Sequence, residues 1–252
     1  MQLSELVVYT DRLLAVETFS DYCPNGLQVQ GRAEVQTLIG GVTASQALLD
    51  AAVELNADAV LVHHGWFWKG ENPRITGMKR RRLATLIRHD LNLLAYHLPL
   101  DTHPELGNNA QLAQRLNLTI TGAAGGNGRT PGLVLLGEPA TPINGADFAV
   151  LLADRLGRVP LHIPGADRLI RRLAWCTGAA QSYIEIALNA GADAFLTGEA
   201  SEQTVHIARE NGLDFFAAGH HATERYGVQA LGRHLAERFG LRFTFVNIDN
   251  PV

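Results

Sequence analysis

Short runs of β-branched and leucine residues alternate along this chain with stretches whose apolar residues recur at helical spacing. That alternation restricts the fold more than any other feature. Residues 35–42 read as a strand and 45–56 as a helix, and 59–62 as a short buried strand followed by a loop carrying His63 and His64. Residues 78–89 are expected to be helical, 91–96 a strand and 109–116 a helix. Strands at 132–136 and 161–163 flank a helix at 147–156, in a stretch without a readable motif. From Leu173 the rhythm returns: a strand near Ala174, a helix at 182–190, a strand at 194–197, a helix at 202–210 and a strand at 214–218. A loop with His220 and His221, a helix at 224–239 and a strand at 242–248 close the chain. A β-α-β-α order of this kind predicts mostly parallel sheets covered by helices.

Part of the second half repeats the first. Residues 46–64 and 181–199 align without gaps, sharing a Gln, an Ala-Asp-Ala triplet and a Leu, as one βαβ unit used twice. A Gly-rich segment at 122–129 interrupts the rhythm and marks the expected boundary. The expectation is therefore two related three-layer-like α/β units with mostly parallel sheets, an N-terminal unit at 1–125 and a C-terminal unit at 126–252. The two are expected about an approximate two-fold axis with a metal site in the cleft between them, and the last strand has the option of returning to the first unit. With 252 residues, 46% of them hydrophobic, either one or two domains can bury a core unaided.

Four of ten histidines form two adjacent pairs, His63-His64 and His220-His221, each after an expected strand. Successive side chains at a strand end point to opposite sides, so such a pair can present imidazoles to two different ions. His97 and Asp101 stand four apart, as do His220 and Glu224, which puts each pair on one face where a helix begins. Imidazole with carboxylate suits Zn, Mn, Fe, Co or Ni, and the lack of paired cysteines argues against a closed structural zinc site. The repeat also sets Glu199 opposite His64, which assigns it a place near the ions as a group that orients a ligand or takes a proton.

Six segments carry a resemblance: SDYCPNGLQVQG (20–31), ADAVLVHHGWFWKGE (57–71), HLPLD (97–101), ELGNNAQLA (105–113), FLTGEASEQT (195–204) and GHHATE (219–224). They resemble the YbgI branch of the Nif-three-like family, also called GTP cyclohydrolase I type 2 homologues. The resemblance spans nearly the whole chain and is weakest at 119–172. It implies a two-metal centre with His63, His64, Asp101, His220 and Glu224 as ligands. In that arrangement Glu224 bridges, His64 and Asp101 favour one ion, and His63 and His220 the other. His97 then lies beside the site as a catalytic or substrate-facing group, His221 is structural, and His103 has no assigned role. The resemblance also implies a toroidal homohexamer.

The functional expectation is a metal-dependent hydrolase that uses a metal-activated water on a small-molecule substrate. The alternative is a non-catalytic metal-handling protein or ring-shaped scaffold. Asn25-Gly26 reads as a backbone turn. Trp66, Phe67 and Trp68 either wall a pocket or pack in the core or between subunits. The run Lys79-Arg80-Arg81-Arg82 either faces solvent or attracts a phosphate-bearing substrate. With 21 basic and 25 acidic residues the net charge is −4, which speaks against nucleic acid as the main partner. Two cysteines, no leader-like N-terminus and no long apolar run point to a soluble cytoplasmic protein without a membrane partner.

Overall fold

Branched and leucine side chains concentrate in strands that a computed structural model places, in chain order, at β1 Gly26–Val29, β2 Thr37–Thr43, β3 Ala59–His64 and β4 Asn92–Ala95. They continue with β5 Leu118–Ala124, β6 Val134–Pro139, β7 Leu161–Ile163, β8 Leu173–Trp175, β9 Ala194–Thr197, β10 Asp214–Ala217 and β11 Arg242–Phe245. The structure describes residues 1–126 and 132–252. Two units are resolved by contacts within the chain, one of residues 1–100 and 227–249, the other of residues 101–226 and 250–252.

In the first unit the sheet order is β1-β4-β3-β2-β11. β4, β3, β2 and β11 run parallel, and β1 pairs antiparallel with β4. Every residue of β3 and β4 is buried, as a strand covered on both faces requires. Helix Gln46–Glu54 starts at Ser45, whose hydroxyl accepts from the Leu48 N–H at 3.3 Å. Its Leu48 and Leu49 join Ile39, Val60, Val62 and Leu93 in one apolar cluster. Gly41 of β2 makes this packing possible, because a Cβ there would run into the Leu48 side chain.

The second unit has the order β5-β6-β8-β9-β10-β7. Only β8, β9 and β10 run parallel; β5, β6 and β7 pair antiparallel with their neighbours. This sheet is thus more mixed than the β-α rhythm predicts, since the motif-poor stretch contributes strands that no crossover helix forces to be parallel. Leu152, Phe148, Trp175, Leu196 and Phe216 fill one side of it, and Ile184, Phe195, Leu213 and Phe215 the other.

The division of the chain falls at residues 100/101 and 226/227, not at the Gly-rich segment. Gly122–Ala124 of that segment lie inside β5, and 127–129 lie outside the described residues. Glycine there reflects an exposed edge strand, whose burial pattern is mostly open, rather than a linker. β11 pairs with β2, which returns the chain end to the first sheet. Among the described residues no helix is long and apolar enough to cross a membrane.

Candidate metal centre

In the first unit three parallel strands deliver polar residues at their carboxyl ends, where open α/β sheets usually hold ligands. Thr43 ends β2, His63 and His64 end β3, and His97 follows β4. The sequence places the two histidines in a loop, but they are the last residues of the strand itself and are buried. Strand geometry therefore fixes their directions. One ring nitrogen from each of His63, His64 and His97 lies within 4.8 Å of the others.

Each of these rings is held through Nδ1. His63 Nδ1 meets the Tyr96 carbonyl at 2.9 Å, His64 Nδ1 the Thr43 hydroxyl at 3.2 Å, and His97 Nδ1 both Asp21 carboxylate oxygens at 3.0 Å. A carbonyl can only accept, so His63 carries a proton on Nδ1, and in the neutral ring Nε2 is then the nitrogen with the lone pair. That is the tautomer a metal ligand needs, with the outer oxygen partner that ligating histidines usually have.

Sequence reasoning misses Asp21 as a functional residue, although it lies in one of the family-like segments. Its side chain is 2% exposed and accepts from His97, the Leu98 N–H at 3.1 Å and Asn25 at 3.0 Å. Burial alone would raise its pKa. The hydrogen bond and charge of His97, helped by Asn25 and the Leu98 N–H, outweigh it and hold the carboxyl well below the usual carboxylate range. Asn25 does more than form a turn, since its side-chain oxygen also accepts from the His97 N–H at 2.6 Å. The Asn25-Gly26 step, with Gly26 at φ +101°, is thus part of the cradle around His97. Its signal in the sequence is the dipeptide alone; the partner is 72 residues away.

In the second unit the parallel strands β8, β9 and β10 are followed by Gly178, Glu199 and His220 respectively. His220 and His221 do not sit in a loop but open a short helical turn, His220–Thr223, just before helix Arg225–Phe239. His220 Nδ1 meets Glu199 at 2.6 Å and its Nε2 meets Glu224 at 3.0 Å. Burial alone would lower the His220 pKa, but Glu224 first and then Glu199 raise it to about 9. Two carboxylates on one imidazole make a strong attractor for positive charge.

Backbone and hydroxyl contacts fix this turn. Gly178, at φ +70°, donates to the Thr223 hydroxyl at 3.1 Å, and Thr223 donates to the His220 carbonyl at 2.9 Å. A Cβ at Gly178 would strike the Glu224 carboxylate. Asp101, buried, accepts from Asn108 at 3.0 Å and from the Thr177 hydroxyl at 3.3 Å. The Asn-Asn step has a purpose here: Asn109 accepts from the Thr177 N–H at 2.9 Å and donates to the Leu133 carbonyl at 3.1 Å. Burial, with the charges of Asp101 and Glu224, pushes the Cys176 thiol well above its ordinary value, so it stays protonated.

His103 Nδ1 accepts from the N–H groups of Glu105 and Leu106, and the His221 N–H donates to the Val252 carbonyl.

Fold and donor sets together define the class: an α/β protein whose imidazoles and carboxylates, clustered at strand ends, can hold metal. The chain belongs to the Duf34/NIF3 (NGG1p interacting factor 3) family, whose profile matches residues 1–251. It is 61% identical over 250 residues to the GTP cyclohydrolase 1 type 2 homolog of Pseudomonas aeruginosa, covering 99% of this chain and 98% of that one. The solved protein ybgI, described as of unknown function, is 53% identical with a TM-score of 0.95, each chain fully covered. TTHA1606 from Thermus thermophilus is 35% identical with a TM-score of 0.90, again over both full chains.

Proposed function

We propose that this protein is a metal-dependent hydrolase with two divalent ions per chain, held by His63, His64, Asp101, His220 and Glu224, with Glu224 serving both. The observation that carries this reading is that ring nitrogens of His63, His64 and His97 gather within 4.8 Å of one another with each ring steadied by an oxygen at Nδ1, while His220 is paired with the carboxylates of Glu199 and Glu224. Nitrogen and oxygen donors without thiolate fit Fe, Mn, Zn, Co or Ni. Two such ions, when bound, supply Lewis acidity and activate water as the nucleophile.

The chain's own residues then divide the remaining work. Asp21 fixes the His97 ring so that its Nε2 is the atom able to give or take a proton. Glu199 orients His220 and, through it, the donor set of the second unit. The name shared by relatives, GTP cyclohydrolase 1 type 2 homolog, supports hydrolysis as the reaction class. By the same resemblance we propose a ring-shaped homohexamer.

Elemental analysis of the purified full chain tests the centre. About two transition-metal ions per chain are expected, Glu224→Ala losing both and His64→Ala chiefly one. Full metal content in Glu224→Ala would sink the bridging assignment. Screening the loaded protein against phosphoesters, nucleotides and cyclic amides separates a hydrolase from a metal-handling protein, which would turn over none.

A further inference from the structure

A cavity of about 460 Å³ opens in the first unit next to side chains that surround His64, and it is large enough for a small organic ligand. Two of its lining residues touch that imidazole. Thr43 bonds His64 Nδ1 at 3.2 Å, and the Trp68 ring lies 5.1 Å from the His64 ring. The three aromatic residues after the histidine pair therefore have separate places. Trp66 packs against the apolar core and its N–H donates to Gln28. Phe67 is 44% exposed, and Trp68 walls the cavity.

The basic run on helix Gly77–Arg88 also separates. Lys79 is engaged by Glu71 at 3.0 Å and by the Asn72 carbonyl at 2.7 Å. Arg80 and Arg81 are exposed. Arg82 lines the cavity with Lys69, and its Nε is buried with no hydrogen-bond partner among the described residues. Burial pulls the Arg82 pKa down, and the charge of Glu71 offsets part of that effect. Among the described lining residues Glu71 is the one carboxylate, and its ion pair at 3.0 Å is with Lys79. What remains facing the space is an incompletely satisfied guanidinium, an ammonium and the side of an indole.

We propose that this cavity is the substrate subsite beside the metal centre and takes a phosphate-bearing molecule with a planar ring. The ring packs on Trp68 and the phosphate is bound by Arg82. A guanidinium matches phosphate oxygens through parallel N–H donors, which Lys79, tied to Glu71, does not offer. The assignment rests on His64 belonging to the metal site, since that is what places the bound molecule next to the chemistry.

The test is calorimetric binding of phenyl phosphate and methyl phosphate to the manganese-loaded full chain, with manganese content measured for every variant. Wild type is expected to prefer phenyl phosphate. Arg82→Gln should weaken both ligands about tenfold or more, as loss of a hydrogen bond to a charged group does. Arg82→Lys should fall between the two, and Arg80→Gln should change neither. Trp68→Leu should weaken phenyl phosphate by roughly three- to tenfold and leave methyl phosphate unchanged, in keeping with the worth of an aromatic pair. Undiminished binding by a manganese-replete Arg82→Gln protein, or equal wild-type affinity for the two ligands, would overturn the subsite and leave the metal reading standing. Wild-type protein that takes up none of manganese, iron, cobalt, nickel or zinc overturns the metal reading and the subsite with it.

Discussion

Asp21 shows how much chemistry one buried carboxylate can organise. It receives His97, Asn25 and a backbone N–H at once, and the three together keep it ionised despite burial. The unfolded carboxyl titrates near 3.8, its ordinary value, while the folded one titrates lower. As pH falls through that window the unfolded chain takes up its proton first. The stability Asp21 contributes is thus present above the ordinary carboxylate value and lost as pH falls through the native one. Denaturant unfolding of wild type and Asp21→Asn across pH should show a gap near neutrality that closes in acid. A gap that widens in acid would contradict the assignment. Asp21→Asn should also leave the metal content unchanged if Asp21 acts on His97 alone.

At the scale of elements, short turns after parallel strands hold the donor sets, and one glycine governs the tightest of them. Gly178 has a positive φ and faces the Glu224 carboxylate, so Gly178→Ala meets both backbone strain and a collision. A loss of about 1–3 kcal/mol in unfolding free energy is expected from the strain alone, checked by denaturant titration. Metal content should fall with it, because Glu224 must move. The sequence conveys the elements that carry these turns wherever apolar periodicity is strong, as in helix Gln46–Glu54 and strands β3, β9 and β10. It does not convey helix Leu3–Leu13 or β1, which lie where no alternation stands out, nor β5, whose side chains are mostly exposed. Histidines and carboxylates are visible through spacing and resemblance. Asp21 is not, because its link to His97 spans 76 residues and leaves no periodic trace. The end of β3 escapes for a simpler reason: two adjacent histidines look like loop, yet here they continue a fully buried strand.

For the whole molecule the division into units follows contacts that no local signal announces. The chain leaves the first unit after Leu100 and re-enters it at Gly227, inside the long helix Arg225–Phe239, to add β11 beside β2. One further property belongs to this scale, the proposed ring of six chains. Large apolar side chains exposed singly are ordinary on a protein surface. Phe67 and Ile75, 44% and 52% exposed, instead line one apolar hollow of the first unit, and Ile87, 64% exposed, lies on helix Gly77–Arg88. Apolar side chains that gather on a surface are usually covered by a partner. A net charge of only −4 leaves little repulsion to oppose self-association. Light scattering at micromolar concentration should therefore report about six times the 27.3 kDa of one chain. Replacing Phe67 and Ile87 together by Glu should shift the mass to smaller species, since burying two new carboxylates in a contact is costly. A wild-type protein that scatters as a stable single chain would remove the ring, and with it any reading in which neighbouring chains complete the surface around residues 67–87.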